Sequence, residues 1–206
     1  IEYNEFCLIN MYVPNSGSNI EFRKDYWDVN LKKLMDSKLD KPFILTGDFN
    51  VVHTKLDIWN PYTLNKANMP GLLKHERDMF NAYLENYVDT FRYKYPEKTM
   101  YTWWNTITKS RAVNKGWRID YFLIQKKFID FIIDSTIDND IMGSDHCPIC
   151  LDINLNGSSQ ENLGDPIENP GSSQSFPGSS KEFLGSCHNN LGSSYDCLWS
   201  AHKGFG

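Results

Sequence analysis

Residues 43–50 read Phe43-Ile44-Leu45-Thr46-Gly47-Asp48-Phe49-Asn50. A short apolar run closed by Gly47-Asp48 has the pattern of a buried strand that ends in a turn. Upstream, Phe6 to Val13 (FCLINMYV) is a second buried-strand pattern, ended by Pro14-Asn15-Ser16-Gly17. Proline cannot donate to a ladder, and Asn-Ser-Gly is turn chemistry. Between the two runs, Ser18 and Glu21 have capping-box spacing, and Trp27, Leu31, Leu34 and Met35 recur at helical spacing. The spacing predicts an amphipathic helix over 19–38. Strand, helix, strand marks an α/β layered domain.

Outward from this unit, residues 50–72 are rich in Asn, Pro and Gly and predict a long loop, of a length usually tied to function. Met79, Phe80, Tyr83, Leu84 and Tyr87 predict a second helix over 74–87. Tyr101 to Trp104 reads as a short aromatic strand, 105–116 as a polar loop, and Trp117 to Ile124 as a strong strand. Phe128 to Ile133 fits either period, and Cys147 to Ile153 reads as the last strand. After Asn156 the composition changes. Gly-Ser-Ser recurs at 157–159, 171–173, 178–180 and 192–194, and apolar residues become sparse. Such a segment buries too little surface to offset its ordering entropy. The expected division is a domain over 1–156 and a disordered tail over 157–206.

Bulk composition narrows the function. The chain has 206 residues, 40% of them hydrophobic, with a formal net charge of −5. That is globular composition and excludes a strongly basic nucleic-acid-binding domain. No apolar run approaches membrane-spanning length. Five cysteines without framework spacing point to a reducing interior. Cys147 and Cys150 have CxxC spacing, but in a strand those positions face opposite ways. The start, Ile1-Glu2-Tyr3, has neither Met nor a signal-peptide pattern, and the expectation is a chain entered mid-gene.

Three stretches carry candidate chemistry. Asp48 and Asn50 follow an apolar strand, and a carboxylate with a carboxamide oxygen suits Mg²⁺. Asp145 and His146 sit on a Gly143-Ser144 turn, where one would bind metal and the other contact a phosphate oxygen. Asp120 lies within an apolar and aromatic run. A buried carboxylate requires a partner: either the His146 ring or a base such as Arg118. Tyr12 ends a strand beside Pro14-Asn15, where its hydroxyl would hold a phosphate. Asn60, Asn65 and Asn68 are uncharged donors suited to a nucleic-acid backbone. Trp103, Trp104 and Trp117, with Ile119, would line an apolar pocket, with core packing as the alternative for at least one of the Trp residues. In an ideal strand, however, Trp117 and Ile119 face away from Asp120.

Together these stretches resemble the exonuclease III family of apurinic/apyrimidinic endonucleases, within the endonuclease/exonuclease/phosphatase superfamily. The resemblance rests on Tyr12-Val13-Pro14-Asn15, Gly47-Asp48-Phe49-Asn50-Val51, Asp57-Ile58-Trp59-Asn60-Pro61, Tyr101-Thr102-Trp103-Trp104, Gly116-Trp117-Arg118-Ile119-Asp120-Tyr121-Phe122 and Gly143-Ser144-Asp145-His146-Cys147-Pro148-Ile149. It spans about residues 5–155. It implies a four-layered α/β sandwich that cuts double-stranded DNA 5′ to abasic sites with Mg²⁺ or Mn²⁺ and an activated water. It implies catalytic roles for Tyr12, Asp48, Asn50, Asp120 and His146, and a metal shell of Asp48, Asn50, Asp145 and His146. Asn15, Asn60, Asn65, Asn68, Trp103, Trp117 and Ile119 would bind substrate. A monomer, no membrane and a nuclear location are expected, with the cytoplasm or an organelle as alternative locations. The family's N-terminal part, with an Asn and a metal-ligand Glu, has no counterpart here. An incomplete domain carrying part of the site is therefore expected, with a non-catalytic DNA-binding or interaction fragment, or another phosphodiester hydrolase of the superfamily, as the alternatives.

Overall fold

The computed structural model describes residues 1–17, 19–37, 41, 43–65, 68–154 and, as backbone, 196–200. In chain order its strands are β1 (Cys7–Tyr12), β2 (Phe43–Asp48), β3 (Tyr87–Asp89), β4 (Trp103–Trp104), β5 (Gly116–Trp117), β6 (Asp120–Gln125), β7 (Ile132–Ile137), β8 (Ile149–Ile153) and β9 (Asp196–Ser200). The helices are α1 (Asp28–Met35), continuous with a π-helical stretch Phe22–Trp27, α2 (Lys74–Tyr83) and α3 (Thr90–Lys94). Asn19 Oδ1 caps the first helical segment by accepting from the Phe22 N–H at 2.9 Å. Ser18, the expected cap, lies outside the described residues.

A four-stranded sheet runs β1-β2-β6-β3, with β1 and β2 parallel and the other pairs antiparallel. Every residue of β2 is buried, because both faces of the sheet are covered. On one face Phe43, Leu45 and Leu123 pack against Leu31, Met35, Phe80 and Tyr83 of α1 and α2. On the other, Ile44, Phe122 and Ile124 pack against Ile132 and Ile137 of β7 and Ile149, Leu151 and Ile153 of β8. The second sheet runs β7-β8-β9. Helices, sheet and sheet are three layers of the expected sandwich. Among the described residues no helix is long and apolar enough to cross a membrane.

The structure departs from the sequence reading in several places. β1 is a half-exposed edge strand rather than a buried one. Its outer edge meets the first residues of the chain, through Leu8 N–H to Ile1 O at 2.8 Å. The second helix stops at Tyr83, and Tyr87 belongs to β3. The Tyr87 hydroxyl donates to Met35 O at 3.0 Å, so a strand residue shares the core that the α2 stripe faces and mimics its period. Ile132–Ile137 form a full strand after a 3₁₀ segment over Lys126–Phe131. β9 falls inside the stretch expected to be a disordered tail. It carries that stretch's longest apolar run, Cys197-Leu198-Trp199, and pairs antiparallel with β8. The rest of 157–206 lies outside the described residues.

The expected strand from Trp117 to Ile124 is broken at Arg118-Ile119, and the chain changes sheets there. Trp117 pairs with Trp103 in the β4-β5 ribbon, whereas Asp120 pairs with Asp48 in the main sheet. A buried ion network fixes this corner. The Arg118 Nε donates to Asp57 Oδ1 at 2.7 Å, and its Nη1 and Nη2 donate to the Asp89 carboxylate at 3.0 and 2.7 Å. Arg92 adds a second bond to Asp57 Oδ1 at 2.6 Å. Burial alone would raise the Asp57 carboxyl, but the two guanidinium groups and Thr54 outweigh it and hold it down at about 2. Removing one partner of such a network strands the others without compensation. Arg118→Met should therefore lower the unfolding free energy by about 3–5 kcal/mol, read from the shift of the urea midpoint. A loss below about 1 kcal/mol would contradict the account.

Candidate active site

The ends of β1, β2 and β6 set three side chains in one row. Tyr12 is the register partner of Asp48, and Asp48 is the register partner of Asp120. Gly47 makes the row possible. Its φ is +120°, and a Cβ there would lie 2.0 Å from Met11 O. Asp48 and Asp120 are buried, at 2% and 6% exposure, whereas Tyr12 opens to solvent at 54%. Two buried carboxylates side by side disfavour joint ionisation. Burial, then the Asp120 charge, pushes the Asp48 carboxyl up to about 7, although the His146 charge and the Asn50 N–H oppose the rise.

Asn50 closes the turn after β2 with φ 49°, a left-handed backbone that Asn tolerates better than most residues. In this conformation its N–H donates to Asp48 Oδ1 at 2.7 Å and its Nδ2 donates to Val13 O at 2.8 Å. Asn15 Nδ2 reaches Asn50 Oδ1 at 3.3 Å. The expected residues Tyr12, Asn15, Asp48 and Asn50 are thus brought together. Sequence reasoning missed the group that ties their loops. Arg23, buried in the π-helical stretch, donates to Pro14 O at 2.7 Å, to Phe49 O at 3.0 Å and to Asp28 Oδ1 at 2.8 Å. Its only sequence signal is a charge embedded in an amphipathic helix.

The Gly143-Ser144 turn delivers the imidazole. The His146 ring pairs through Nδ1 with Asp120 Oδ2 at 2.9 Å, so Asp120 partners His146 and not Arg118. Burial alone would lower the ring's pKa. The hydrogen bond and charge of Asp120, then Asp48 and Asp145, outweigh burial and raise it to about 9. Asp145 accepts from the Trp103 indole Nε1 at 3.1 Å, and its backbone O accepts from Trp104 N–H at 2.9 Å. Thr102, also missed, is fully buried. Its Oγ1 accepts from the N–H groups of both Ile119 and Asp120, at 3.0 and 3.1 Å, pinning the corner beside His146.

Breaking the strand at Arg118-Ile119 resolves the facing problem. Ile119 turns into a small core with Val52, Ile58, Leu64 and Leu72, and half-buried Trp103 and Trp117 pack against it. The two indoles stand 5.2 Å apart at 54°. The loop over 50–72 is organised rather than structureless. Thr54 and Asp57 form a reciprocal cap on Lys55–Asp57, and Asn60 Oδ1 accepts from Tyr62 N–H at 3.3 Å to cap Pro61–Thr63. Asn60 is half-buried, and Asn65 and Asn68 are exposed on the same loop. The oxygen-rich, acidic cluster is of the chemical type that suits a hard divalent cation. Among the described residues, however, no three acidic, imidazole or thiol groups are arranged to hold one. The proposed set of Asp48, Asn50, Asp145 and His146 fits only in part. Cys7, Cys147 and Cys150 are free thiols, and burial pushes Cys147 up to about 12.

Sheets packed face to face, with an acidic strand-end row and a neighbouring aspartate–histidine turn, define a family. The chain belongs to the Endonuclease/Exonuclease/phosphatase family, whose model matches residues 6–146. It is 40% identical over 164 residues to a DNA-(apurinic or apyrimidinic site) endonuclease of Dictyostelium discoideum, covering 76% of this chain and 45% of that protein. It is 37% identical over 160 residues to an exodeoxyribonuclease of Bacillus subtilis, covering 75% and 63%. Among solved structures it is similar to AP endonuclease LMAP from Leishmania major, with a TM-score of 0.63 and 27% identity over 70% of this chain and 48% of that one. The chain thus spans only part of its relatives' length.

The raised Asp48 carboxyl has a measurable consequence. An acid whose pKa rises from 3.8 unfolded to about 7 folded binds more protons in the native state, so its contribution lowers stability as pH climbs through that window. Asp48→Asn keeps an acceptor for the Asn50 N–H and removes the charge. It should raise the thermal midpoint at pH 8 by several degrees while leaving that at pH 4 unchanged. An equal shift at both pH values would refute the assignment.

Proposed function

We propose that this chain is part of a DNA repair endonuclease that cuts the phosphodiester 5′ to abasic sites in double-stranded DNA. The observation that supports the reading most directly is the row Tyr12-Asp48-Asp120 with His146 bonded to Asp120, set beside the Trp103–Trp117 wall. Relatives named for apurinic-site cleavage and exonuclease activity support the same class of reaction. A carboxylate near pKa 7 is matched to taking a proton from an attacking water at neutral pH. Asn50 holds that carboxylate through its N–H. A protonated His146, oriented by Asp120, would offer its Nε2–H to an oxygen of the scissile phosphate, while Tyr12 and Asn15 hold the phosphate from the other side. The indoles of Trp103 and Trp117, with Ile119, would receive a sugar without its base, and Asn60, Asn65 and Asn68 would contact the DNA backbone. Mg²⁺ or Mn²⁺ is the proposed cofactor, with Asp48, Asn50, Asp145 and His146 supplying part of its shell. Such an ion neutralises phosphate charge when bound. The proposal places the protein as a monomer in the nucleus.

The test is cleavage of a duplex carrying one abasic-site analogue, with Mg²⁺ and with EDTA. Metal-dependent cutting 5′ to the site is expected. Asp48→Ala and His146→Ala should each reduce its rate by about 10²–10⁴-fold, and a loss under tenfold would count against their roles. Trp103→Ala should reduce the preference for abasic over intact DNA more than it slows hydrolysis of an unselective phosphodiester. Binding of abasic DNA by a folded chain that cuts nothing would instead assign these residues to holding DNA.

A further inference from the structure

The turn that carries Asp145 and His146 is thinly covered on its outer side. Ile141 is 41% exposed and Met142 71%, and the space around Gly143 is open. Gly143 itself has φ +117°, a conformation that favours glycine. Yet Asp145 and His146 occupy defined positions, each bonded to a neighbour across the site.

Inside the turn the His146 N–H donates to Ser144 Oγ at 3.1 Å, and an arginine adds three bonds from outside it. Arg111, in the 3₁₀ turn Ser110–Val113, lies within the segment that reads from sequence as a polar loop. Its Nη1 donates to Ser144 O at 2.8 Å. Its Nη2 donates to Asn139 O at 2.9 Å and to Ile141 O at 2.6 Å. The guanidinium also lies over the Trp104 ring, 4.4 Å from its centroid, and is half-buried there. Trp104 is itself locked, with its N–H on Asp145 O and its indole Nε1 on Asn114 Oδ1 at 3.1 Å. One planar fork therefore reads three carbonyls of the turn from a rigid aromatic base. Lysine, a point charge without the fork, lacks that geometry.

We propose that Arg111 is a positioning residue of this site. It acts through the backbone of residues 139–144 to hold Asp145 and His146 in place, and it touches no reacting atom. The proposal rests on the functional reading above for its catalytic consequence, but not for its structural one. The competing role for a half-buried arginine near a nucleic-acid site is a direct phosphate contact, and the two roles part company in experiment. Loss of a phosphate contact raises KM, lowers the salt slope of binding by about 1, and is largely rescued by lysine. Loss of a positioning group lowers kcat, leaves KM and the salt slope unchanged, and is not rescued by lysine.

The experiment compares Arg111→Lys and Arg111→Met with the unaltered chain, using the full 206 residues. The direct readout is the Trp103 indole ¹⁵N–¹H resonance, because that N–H is bonded to Asp145 Oδ2 and so reports the carboxylate's position whether or not the chain cuts DNA. In both variants the resonance should move toward the position of an unbonded indole and its solvent exchange should quicken at least tenfold, with a cooperative thermal transition retained. An unmoved resonance in the lysine variant overturns the proposal. In the cleavage assay both variants should lose at least tenfold in kcat at constant KM. Rescue by lysine, or a raised KM with kcat intact, also overturns it. Absence of cutting by the unaltered chain would count against the proposed function and leave the indole measurement to decide the role of Arg111. Should methionine prevent folding, the lysine variant alone carries the decision.

Discussion

The buried guanidinium of Arg118 is the constraint on which the site geometry depends. It joins the loop at Asp57, the end of β3 at Asp89 and the corner between β5 and β6. At that corner the chain leaves the ribbon that holds Trp103 and enters the sheet that holds Asp48. Because the change of sheet occurs within two residues, indoles and carboxylates from neighbouring positions lie on adjoining surfaces. Buried ion pairs seldom add net stability over apolar packing of the same volume. Here the network specifies a backbone path that apolar packing would not. It is also shielded on its remaining sides, with Arg118 stacked 4.6 Å from the Tyr121 ring centroid.

The candidate site shows a second dependence, on electrostatics. Asp48 and Asp120 sit side by side and buried, and the His146 ring pairs with Asp120. Asp120 carries the ion pair, which leaves Asp48 with a proton-accepting tendency near neutral pH rather than deep in the acid range. The two carboxylates differ through their surroundings, not their chemistry. The arrangement costs stability, as active-site arrangements commonly do.

Much of this was legible in the sequence, for identifiable reasons. β2 and its Gly47-Asp48 end were visible because a fully buried strand is apolar throughout and stops at turn residues. Asp120 was visible as a charge inside an apolar run. The helix boundary near Tyr83 was not visible, because Tyr87 faces the same core from a strand and continues the helical spacing by coincidence. The break at Arg118-Ile119 was hidden because local periodicity carries no information about which sheet a residue joins. Arg23, Thr102 and Arg111 were hidden because they act on backbone carbonyls and amides of segments distant in sequence. Side-chain motifs record chemistry well and record scaffolding of this kind poorly.

Gly47 shows the converse. It bears no functional group, yet the carbonyl of Met11 occupies the space where its side chain would begin. Any larger residue there would wedge β1 from β2 and pull Tyr12 out of line with Asp48. Selection at this position would therefore act as strictly as selection on the aspartate beside it, for a reason that is purely spatial. Across an alignment of descendants the two columns would look alike. Only the geometry separates the residue that offers a functional group from the residue whose emptiness makes room for it.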